Sequence, residues 1–295
     1  MPPAPASDEV VLRIHAVAIN PFDAARHSNG MYIPSYPYII GSDAAGTIIT
    51  CGNEVKNVTA GDKVVALTDE YITHLPSHSF FQRFAVMGSR MVCKIPDGLT
   101  YEDACVLPMG VCTAAGMLFE QESLDLEWPT LDDGVRAKRK HEGEIVVVWG
   151  ASSSVGCSAM QLLRAAGYRV LATASKHNFD LLKQCGAEAV FDHTNADCVD
   201  RVCSWVEEKK LQLAGVLAVV INPELLQKCG QVAQRLRGNK FVSTSLPRGL
   251  MPEPDLGEGI RTSNCKSMLQ RPTKVLTWLL RSGYFAARSP RIPVE

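Results

Sequence analysis

The spacing of apolar and polar residues changes character partway along the chain. Glu9 to Ile19 (EVVLRIHAVAI) alternates β-branched with other residues and stops at Asn20-Pro21, which reads as a strand ended by a turn. Tyr38 to Ile49 is apolar and punctuated by Gly41 and Gly46. Cys51-Gly52-Asn53 and Ala60-Gly61-Asp62 mark tight turns before a strand over Lys63 to Leu67. Further strands are predicted over Phe80 to Val86 and Met91 to Ile95, closed by Pro96-Asp97-Gly98. Short strands separated by glycine turns predict a small barrel.

After Thr100 the spacing becomes helical. Tyr101 to Leu107 and Val111 to Phe119 are rich in Ala, Leu and Met. Glu120 to Gly143 is a polar insert with Pro129, Asp132-Asp133-Gly134 and the basic run Arg136 to Lys140, predicted as a solvated loop. From Glu144 strands and helices alternate. Strands are predicted at Ile145 to Trp149, Tyr168 to Ala174, Ala189 to Asp192, Val216 to Ile221 and Lys240 to Thr244. Helices are predicted at Val155 to Ala166, Asn178 to Gln184, Asp197 to Lys209 and Glu224 to Leu236. That alternation predicts a doubly wound parallel sheet covered on both faces. Three parts follow: a β-rich domain over 1–107, an α/β domain over 108–245, and a tail over 246–295.

Composition narrows the function classes. With 295 residues there is room for two domains, and 46% hydrophobic with 21% charged residues is the balance of a globular protein. A net charge of -1 gives no reason to expect a nucleic acid or a membrane surface as partner. The ten cysteines form no C-x-x-C pair, so no zinc knuckle or dithiol redox motif is signalled. The start, MPPAPASDEV, lacks a basic segment followed by an apolar one, and no apolar run reaches the roughly 20 residues of a membrane span. A cytoplasmic, reduced-thiol protein is the expectation.

The chemistry concentrates in IVVVWGASSSVGCSAMQLLRAAGYRVLATASKHN. A strand ends at Trp149, the chain turns from Gly150 to Gly156, and a helix starts. Free N–H groups and the positive helix end would meet there, where a pyrophosphate can sit. Gly150 supplies the tight turn and Gly156 close helix-to-strand packing; Ser154 stands where a middle glycine is usual. Ser152, Ser153, Ser154 and Val155 complete the turn, and the serines can donate to phosphate oxygens. The glycine spacing alone is weak, and its strand-turn-helix context is what gives it weight. A ligand-free Gly/Ser turn is the competing reading.

The end of the second strand distinguishes the nicotinamide cofactors. An NAD site places a carboxylate there for the ribose 2′-OH, whereas this chain has Ser175-Lys176-His177-Asn178. Ser175 and Lys176 would attract a 2′-phosphate, which points to NADP(H). The alternative is a helix cap at Ser175 or Asn178 beside an exposed lysine.

These motifs resemble the medium-chain dehydrogenase/reductase superfamily, in its zinc-free quinone oxidoreductase and enoyl reductase branch. The likeness is greatest to the trans-acting enoyl reductases of fungal polyketide pathways. Its landmarks are Asn20-Pro21-x-Asp23, Gly41 to Gly46, Gly61-Asp62-Lys63-Val64, Leu107-Pro108, Gly110 to Thr113, and the segment through Phe191-Asp192. The resemblance runs from about Asp8 to Ser245 and implies a GroES-like barrel, incomplete here, joined to a Rossmann domain. It implies hydride transfer from NADPH to an enoyl thioester, enone or quinone in secondary metabolism, with a polyketide synthase as partner. Zinc-dependent relatives have a Cys near Asn20 and a His-Glu pair at Ser42-Asp43. No metal is therefore expected, and Ser42 and Asp43 read as turn or interdomain hydrogen-bonding residues.

By the same resemblance Phe22, Asp23, Ala24 and Ala25 line the nicotinamide. Gly110, Val111, Cys112, Thr113, Ala114, Ala115, Gly116 and Met117 line the substrate. Thr113 is placed to bond the carboxamide or an enolate oxygen, or else to satisfy its own helix start. His193 is placed by the adenosine ribose or 2′-phosphate, or is a bystander in its loop. Tyr32 and Tyr36 are candidates for a proton donor or for loop anchors.

Three departures qualify the likeness. Ala24-Ala25 replaces a common Trp-Lys, and Arg26 follows one place late. The usual first barrel strands are missing before Asp8, which would leave an unpaired edge. After Ser245 the family normally adds sheet strands, and Leu246 to Glu295 does not match; Val275 to Leu280 could form a helical turn between Pro272 and Pro290. A relative that binds NADP(H), or docks a partner, without catalysis is the second reading.

Overall fold

A computed structural model describes residues 4–129, 140–219, 222–245 and 256–264. The chain separates into two compact units, the first running to Cys112 and the second beginning at Thr113.

The first unit is built on an antiparallel five-stranded sheet. Its strands are β1 (Glu9–Ala18), β2 (Asp43–Cys51), β3 (Lys63–Leu67), β4 (Phe84–Gly88) and β5 (Val92–Lys94), in the order β4-β1-β2-β3-β5. Val10, Leu12, Ala45, Ile48, Val65 and Met87 pack into one buried core with Phe80 and Met91. Two short helices complete the unit, α2 (Glu70–Thr73) and α3 (Tyr101–Ala104), together with α1 (Pro21–Asn29).

Asn20-Pro21 is not the turn predicted from sequence but the start of α1. Pro21 occupies the first helical position, where its missing N–H is no loss, and the Asp23 carboxylate accepts the Asn20 N–H at 2.8 Å. Gly30, at φ 65°, closes the helix in the left-handed conformation. The apolar stretch Tyr38 to Ile49 is strand only from Asp43, and the strand predicted from Phe80 starts at Phe84.

Helix α4 (Pro108–Phe119) leads into the second unit. The stretch Tyr101–Phe119, interrupted by Glu102 and Asp103, is long and apolar enough for a membrane span by length and composition, and 78% of its most apolar window is buried in the fold. In the second unit follow β6 (His141–Trp149), α5 (Ser154–Ala165), β7 (Tyr168–Ala174), α6 (Phe179–Cys185), β8 (Ala189–Asp192) and α7 (Cys198–Glu208). Then come β9 (Gln212–Ala218), α8 (Pro223–Arg235), β10 (Phe241–Thr244) and β11 (Arg261–Asn264). All six strands are parallel neighbours in the order β8-β7-β6-β9-β10-β11. Numbered along the sheet this is 3-2-1-4-5-6, the dinucleotide-binding order, with its reversal between β6 and β9. Ile145, Val147, Leu213, Val216 and Val242 bury one face against α7 and α8.

Two expectations change here. The insert is not wholly a solvated loop: Leu124 and Leu126 are buried, and the Leu124 side chain covers Gly215 in β9. The basic run from Arg136 falls outside the described residues except Lys140, which pairs with Glu127. The segment after Ser245 does supply a sheet strand. Thr262 Oγ1 donates to Val242 O at 2.8 Å, Thr244 Oγ1 to Ser263 O at 3.0 Å, and Ser263 Oγ lies 3.2 Å from Ser243 Oγ. Val220, Ile221 and the helical turn expected at Val275 to Leu280 lie outside the described residues.

Candidate functional site

In the second unit the sequence-predicted residues converge. Register pairs Trp149 with Thr173, Thr173 with Phe191, and Ala174 with Asp192. Gly150, Ser175 and His193 therefore leave the carboxyl ends of three adjacent parallel strands, which lie about 4.8 Å apart. The turn is stitched to β7: Ala151 N–H donates to Thr173 O at 3.0 Å and Gly150 N–H to Thr173 Oγ1 at 3.3 Å. Thr173 was not singled out from sequence, although a hydroxyl one residue before the strand end was there to be read.

Within the turn, Gly150 adopts φ 81°, the left-handed region. A Cβ on Gly156 would lie 2.5 Å from Ala151 O and 2.6 Å from its Cα, so only glycine lets α5 start this close to β6. Ser153 does not present its hydroxyl outward as predicted. Its Oγ accepts the Gly156 N–H at 3.1 Å and donates to Gly150 O at 3.1 Å, which makes it the cap of α5. Among the described residues the N–H groups of Ser152, Ser154 and Val155 have no protein acceptor. They form the donor set expected at a helix start that receives an anion.

Beyond β7, Ser175 is half-buried and Lys176 and His177 are exposed. Residues 176–178 form a 3₁₀ turn, and neither Ser175 nor Asn178 caps a helix with its side chain. Capping therefore does not consume these polar groups. Asp192 ends β8 and its Oδ1 accepts the Thr194 hydroxyl at 2.7 Å and N–H at 3.0 Å. Those two bonds, helped by the Lys176 and His193 charges and opposed by burial, hold its carboxyl below the usual range. His193 is half-buried, and its Nδ1 is enclosed without a hydrogen-bond partner among the described residues. The residues present fit a phosphorylated dinucleotide: uncommitted turn N–H groups, a glycine that no Cβ could replace, and a cation with no acid on β7.

In the first unit, Asn20 joins two buried carboxylates. Its N–H binds Asp23, and its Nδ2 donates to Asp43 Oδ2 at 3.0 Å. Ser42 Oγ donates to Asp23 Oδ1 at 2.6 Å, and the Met109 N–H at the start of α4 donates to Asp43 Oδ1 at 2.9 Å. Ser42 and Asp43 thus hold hydrogen bonds, and all three partners, Asp23, Asn20 and Met109, lie in the first unit. Burial pushes the Asp43 carboxyl well up; the two donors oppose it and the Asp23 charge adds to it. Among the described residues no cluster of three His, Cys, Asp or Glu side chains could hold a metal.

Phe22 and Ala25 are half-buried, Ala24 exposed and Asp23 buried. Arg26 points away from any cofactor role. It is fully buried, pairs with Glu70 at 2.6 Å, and lies 5.7 Å from the Phe22 and 5.9 Å from the Tyr38 ring centre. Glu70 also accepts the Tyr38 hydroxyl, and burial with that bond pushes the phenol up to about 12. Tyr32 packs its ring 6.1 Å from Phe22, and Tyr36 is 72% exposed. A third aromatic, Tyr71, meets Phe22 edge-on at 6.1 Å. Its pKa is driven well up by burial and then by nearby Cys112 and Asp43. Gly110 to Met117 form the middle of α4 and are all buried, with Cys112 and Thr113 keeping 3% and 4% exposure. Thr113 is the sixth residue of the helix, so it does not cap the helix start.

Comparison with known proteins agrees with this layout. Residues 6–106 match the alcohol dehydrogenase GroES-like domain. The trans-enoyl reductase himH of Aspergillus japonicus is 35% identical over 245 residues, covering 83% of this chain and 68% of its own length. The protein lovC of Aspergillus terreus, named as the enoyl reductase component of lovastatin nonaketide synthase, is 33% identical over 80% of this chain and 62% of its own. An alcohol dehydrogenase superfamily protein from Novosphingobium aromaticivorans superposes with a TM-score of 0.76 at 22% identity, covering 97% of this chain and 82% of that one. The chain belongs to the medium-chain dehydrogenase/reductase superfamily of oxidoreductases, among the fungal trans-enoyl reductases.

Proposed function

We propose that the chain is an NADPH-dependent reductase of activated C=C bonds, acting in trans on intermediates of a polyketide synthase. The observation that supports it most is the meeting of the Gly150–Gly156 turn, Ser175-Lys176 and His193 at the carboxyl ends of β6, β7 and β8. The turn N–H groups of Ser152, Ser154 and Val155 would take the pyrophosphate, and Lys176 with Ser175 the 2′-phosphate. NADPH bound there supplies a hydride. The residues' work is then to orient the acceptor, exclude water and hold the oxygen on which negative charge develops. Phe22 to Ala25 are assigned to the nicotinamide and Gly110 to Met117 to the substrate, with Thr113 as the oxygen contact. The trans-acting role and the enoyl thioester class rest on the names of himH and lovC.

The test is a titration of the full chain with NADPH, followed by cofactor fluorescence, then addition of a crotonyl thioester and a 1,4-quinone. Saturable binding and oxidation of NADPH on adding the thioester are expected. Binding without oxidation of NADPH by either acceptor would refute the catalytic part, and no binding would refute the whole.

A further inference from the structure

We propose that the outer face of β1 is a track for the 4′-phosphopantetheine arm of a carrier protein, with the phosphate at Arg13 and Lys63 and the thioester at the entry of α1. This rests on the reading of the chain as a trans-acting reductase and names the form in which its substrate arrives.

Inner and outer positions alternate along β1 and the residue just beyond it. Ile14, Ala16 and Ala18 pack against the core of the first unit, while Arg13, His15, Val17 and Ile19 are exposed. Register sets Thr47 of β2 opposite Arg13, and Lys63 of β3 opposite Thr47. Arg13 and Lys63 therefore flank Thr47 in one row, two strand spacings or about 10 Å apart. Two such long side chains can close on a single phosphate. Hydrogen-bonding groups gather between them. His15 Nε2 lies 3.1 Å from Thr47 Oγ1, and Thr47 Oγ1 lies 2.8 Å from the Tyr101 hydroxyl. The His15 ring stacks on Tyr101 at 4.6 Å, and Lys63 Nζ lies 5.6 Å from the same ring centre.

These cations are uncommitted. The ion pairs of this unit engage Arg26, His78, Arg90 and Lys94, and among the described residues none takes Arg13 or Lys63. The acids next to Tyr101 are Glu102 and Asp103, and Asp103 accepts the Thr100 hydroxyl at 2.8 Å in the capping turn of α3. Past the basic row the face turns apolar: Val17 is 40% and Ile19 79% exposed. The sequence of chemistry along the strand is thus cationic, then apolar, then the start of α1. A phosphopantetheine arm has the same order, from a phosphate through a dimethyl group and methylenes to the thioester. Its length also fits. From Arg13 to Ile19 the extended chain covers about 20 Å. The arm, with about thirteen bonds from phosphorus to sulfur, spans roughly 15 Å at the reach of a polypeptide backbone. A phosphate held at the basic row therefore delivers its thioester to the end of β1, directly before α1.

The test follows NADPH oxidation by the full chain with three substrates: crotonyl-4′-phosphopantetheine, crotonyl-pantetheine, which lacks the phosphate, and crotonyl-coenzyme A. KM should be roughly tenfold lower with the phosphate than without it, the yield of two exposed charge pairs. The double variant Arg13→Glu/Lys63→Glu should erase that ratio by raising KM for the phosphorylated substrate. A ratio that survives, or equal rises for both substrates, overturns the proposal. A KM for crotonyl-coenzyme A more than tenfold below that of the phosphopantetheine substrate gives the face to free coenzyme A and overturns the carrier assignment. Ile19→Ser should raise KM for both pantetheine substrates about threefold, as partial loss of one apolar contact would. Unchanged values overturn the path along β1, and a dimer that becomes a monomer in light scattering shows that a second copy covers the face, which also overturns it. Calorimetric titration with phosphopantetheine itself separates the track from the catalytic reading. Binding that the double variant loses supports the track even where no thioester is reduced; reduction without that loss refutes the track alone.

Discussion

Replacing Gly156 by alanine tests the turn at its tightest point. The new Cβ would meet three backbone atoms of Ala151 at 2.5, 2.6 and 2.7 Å, where ordinary contact begins at 3.4 Å. None of the three is the end of a flexible side chain, so α5 and the turn must part by about 0.9 Å. Overpacking of this kind costs about 1–3 kcal/mol. Alanine also improves helix propensity by up to ~1 kcal/mol, which offsets part of that in the third residue of α5. Net destabilisation is therefore about 0–2 kcal/mol, a fall in Tm of at most roughly 8 °C. Affinity discriminates better. If one bond from the turn to a charged phosphate is lost, about 1.5–3 kcal/mol goes with it, roughly ten- to hundredfold in Kd for NADPH. Gly143→Ala is the control, because nothing lies within 4 Å of a Cβ there and its φ is unexceptional. Fluorescence titration of the three proteins at one temperature measures the effect. A Gly156→Ala chain that binds NADPH within twofold of the wild type would refute the phosphate assignment of the turn.

Further expectations are as direct. Lys176→Glu should weaken NADPH at least tenfold more than NADH, because it sets a carboxylate beside the 2′-phosphate; equal losses in parallel titrations would rule that contact out. Glu70→Ala leaves Arg26 buried without its partner and should destabilise by about 3–5 kcal/mol in urea unfolding, whereas a loss under 1 kcal/mol would show that the pair is dispensable. Asp192 is held low by Thr194, so its share of stability is full above the unfolded carboxyl pKa of about 3.9 and is lost as pH falls through the lower folded value. Thr194→Val should raise the Asp192 pKa followed by carboxyl-carbon NMR, and an unmoved titration would contradict the assigned bonds.

Much of the second unit was legible because its strands are apolar runs closed by turn residues. Tyr168–Ala174 and Ala189–Asp192 fall where the pattern puts them. Helix α1 was missed although its signal was present: Asn at the cap, Pro at the first position and Asp at the third. The Asn-Pro pair was read as a terminator when here it is an initiator. Strand β11 could not be read, since Arg-Thr-Ser-Asn has no apolar alternation and joins the sheet edge through hydroxyl and backbone bonds. The Arg26–Glu70 pair spans 44 positions, and no local spacing encodes such a contact. Ser153 was misassigned for a different reason. A serine before a helix satisfies the capping pattern and the phosphate-donor pattern equally, and only the placement of its Oγ at Gly156 N–H separates them.

The two carboxylates of the first unit serve a structural purpose that depends on their full complement of donors. Asp23 receives the Asn20 N–H and the Ser42 hydroxyl; Asp43 receives the Asn20 amide and the Met109 N–H. Both are buried, and a buried carboxylate without donors would be far costlier than any single bond it makes. Asn20 is the hinge of this arrangement, since one residue serves both acids. Through it the entry of α1, the start of β2 and the start of α4 are fixed together. Helices α1 and α4 carry Phe22 to Ala25 and Gly110 to Met117, the residues to which the nicotinamide and substrate contacts are assigned. Orientation of reactants depends on positions held to fractions of an ångström. A network that clamps three chain segments through two buried acids supplies that rigidity within the first unit, just as the Thr173 bonds to Gly150 and Ala151 supply it in the second.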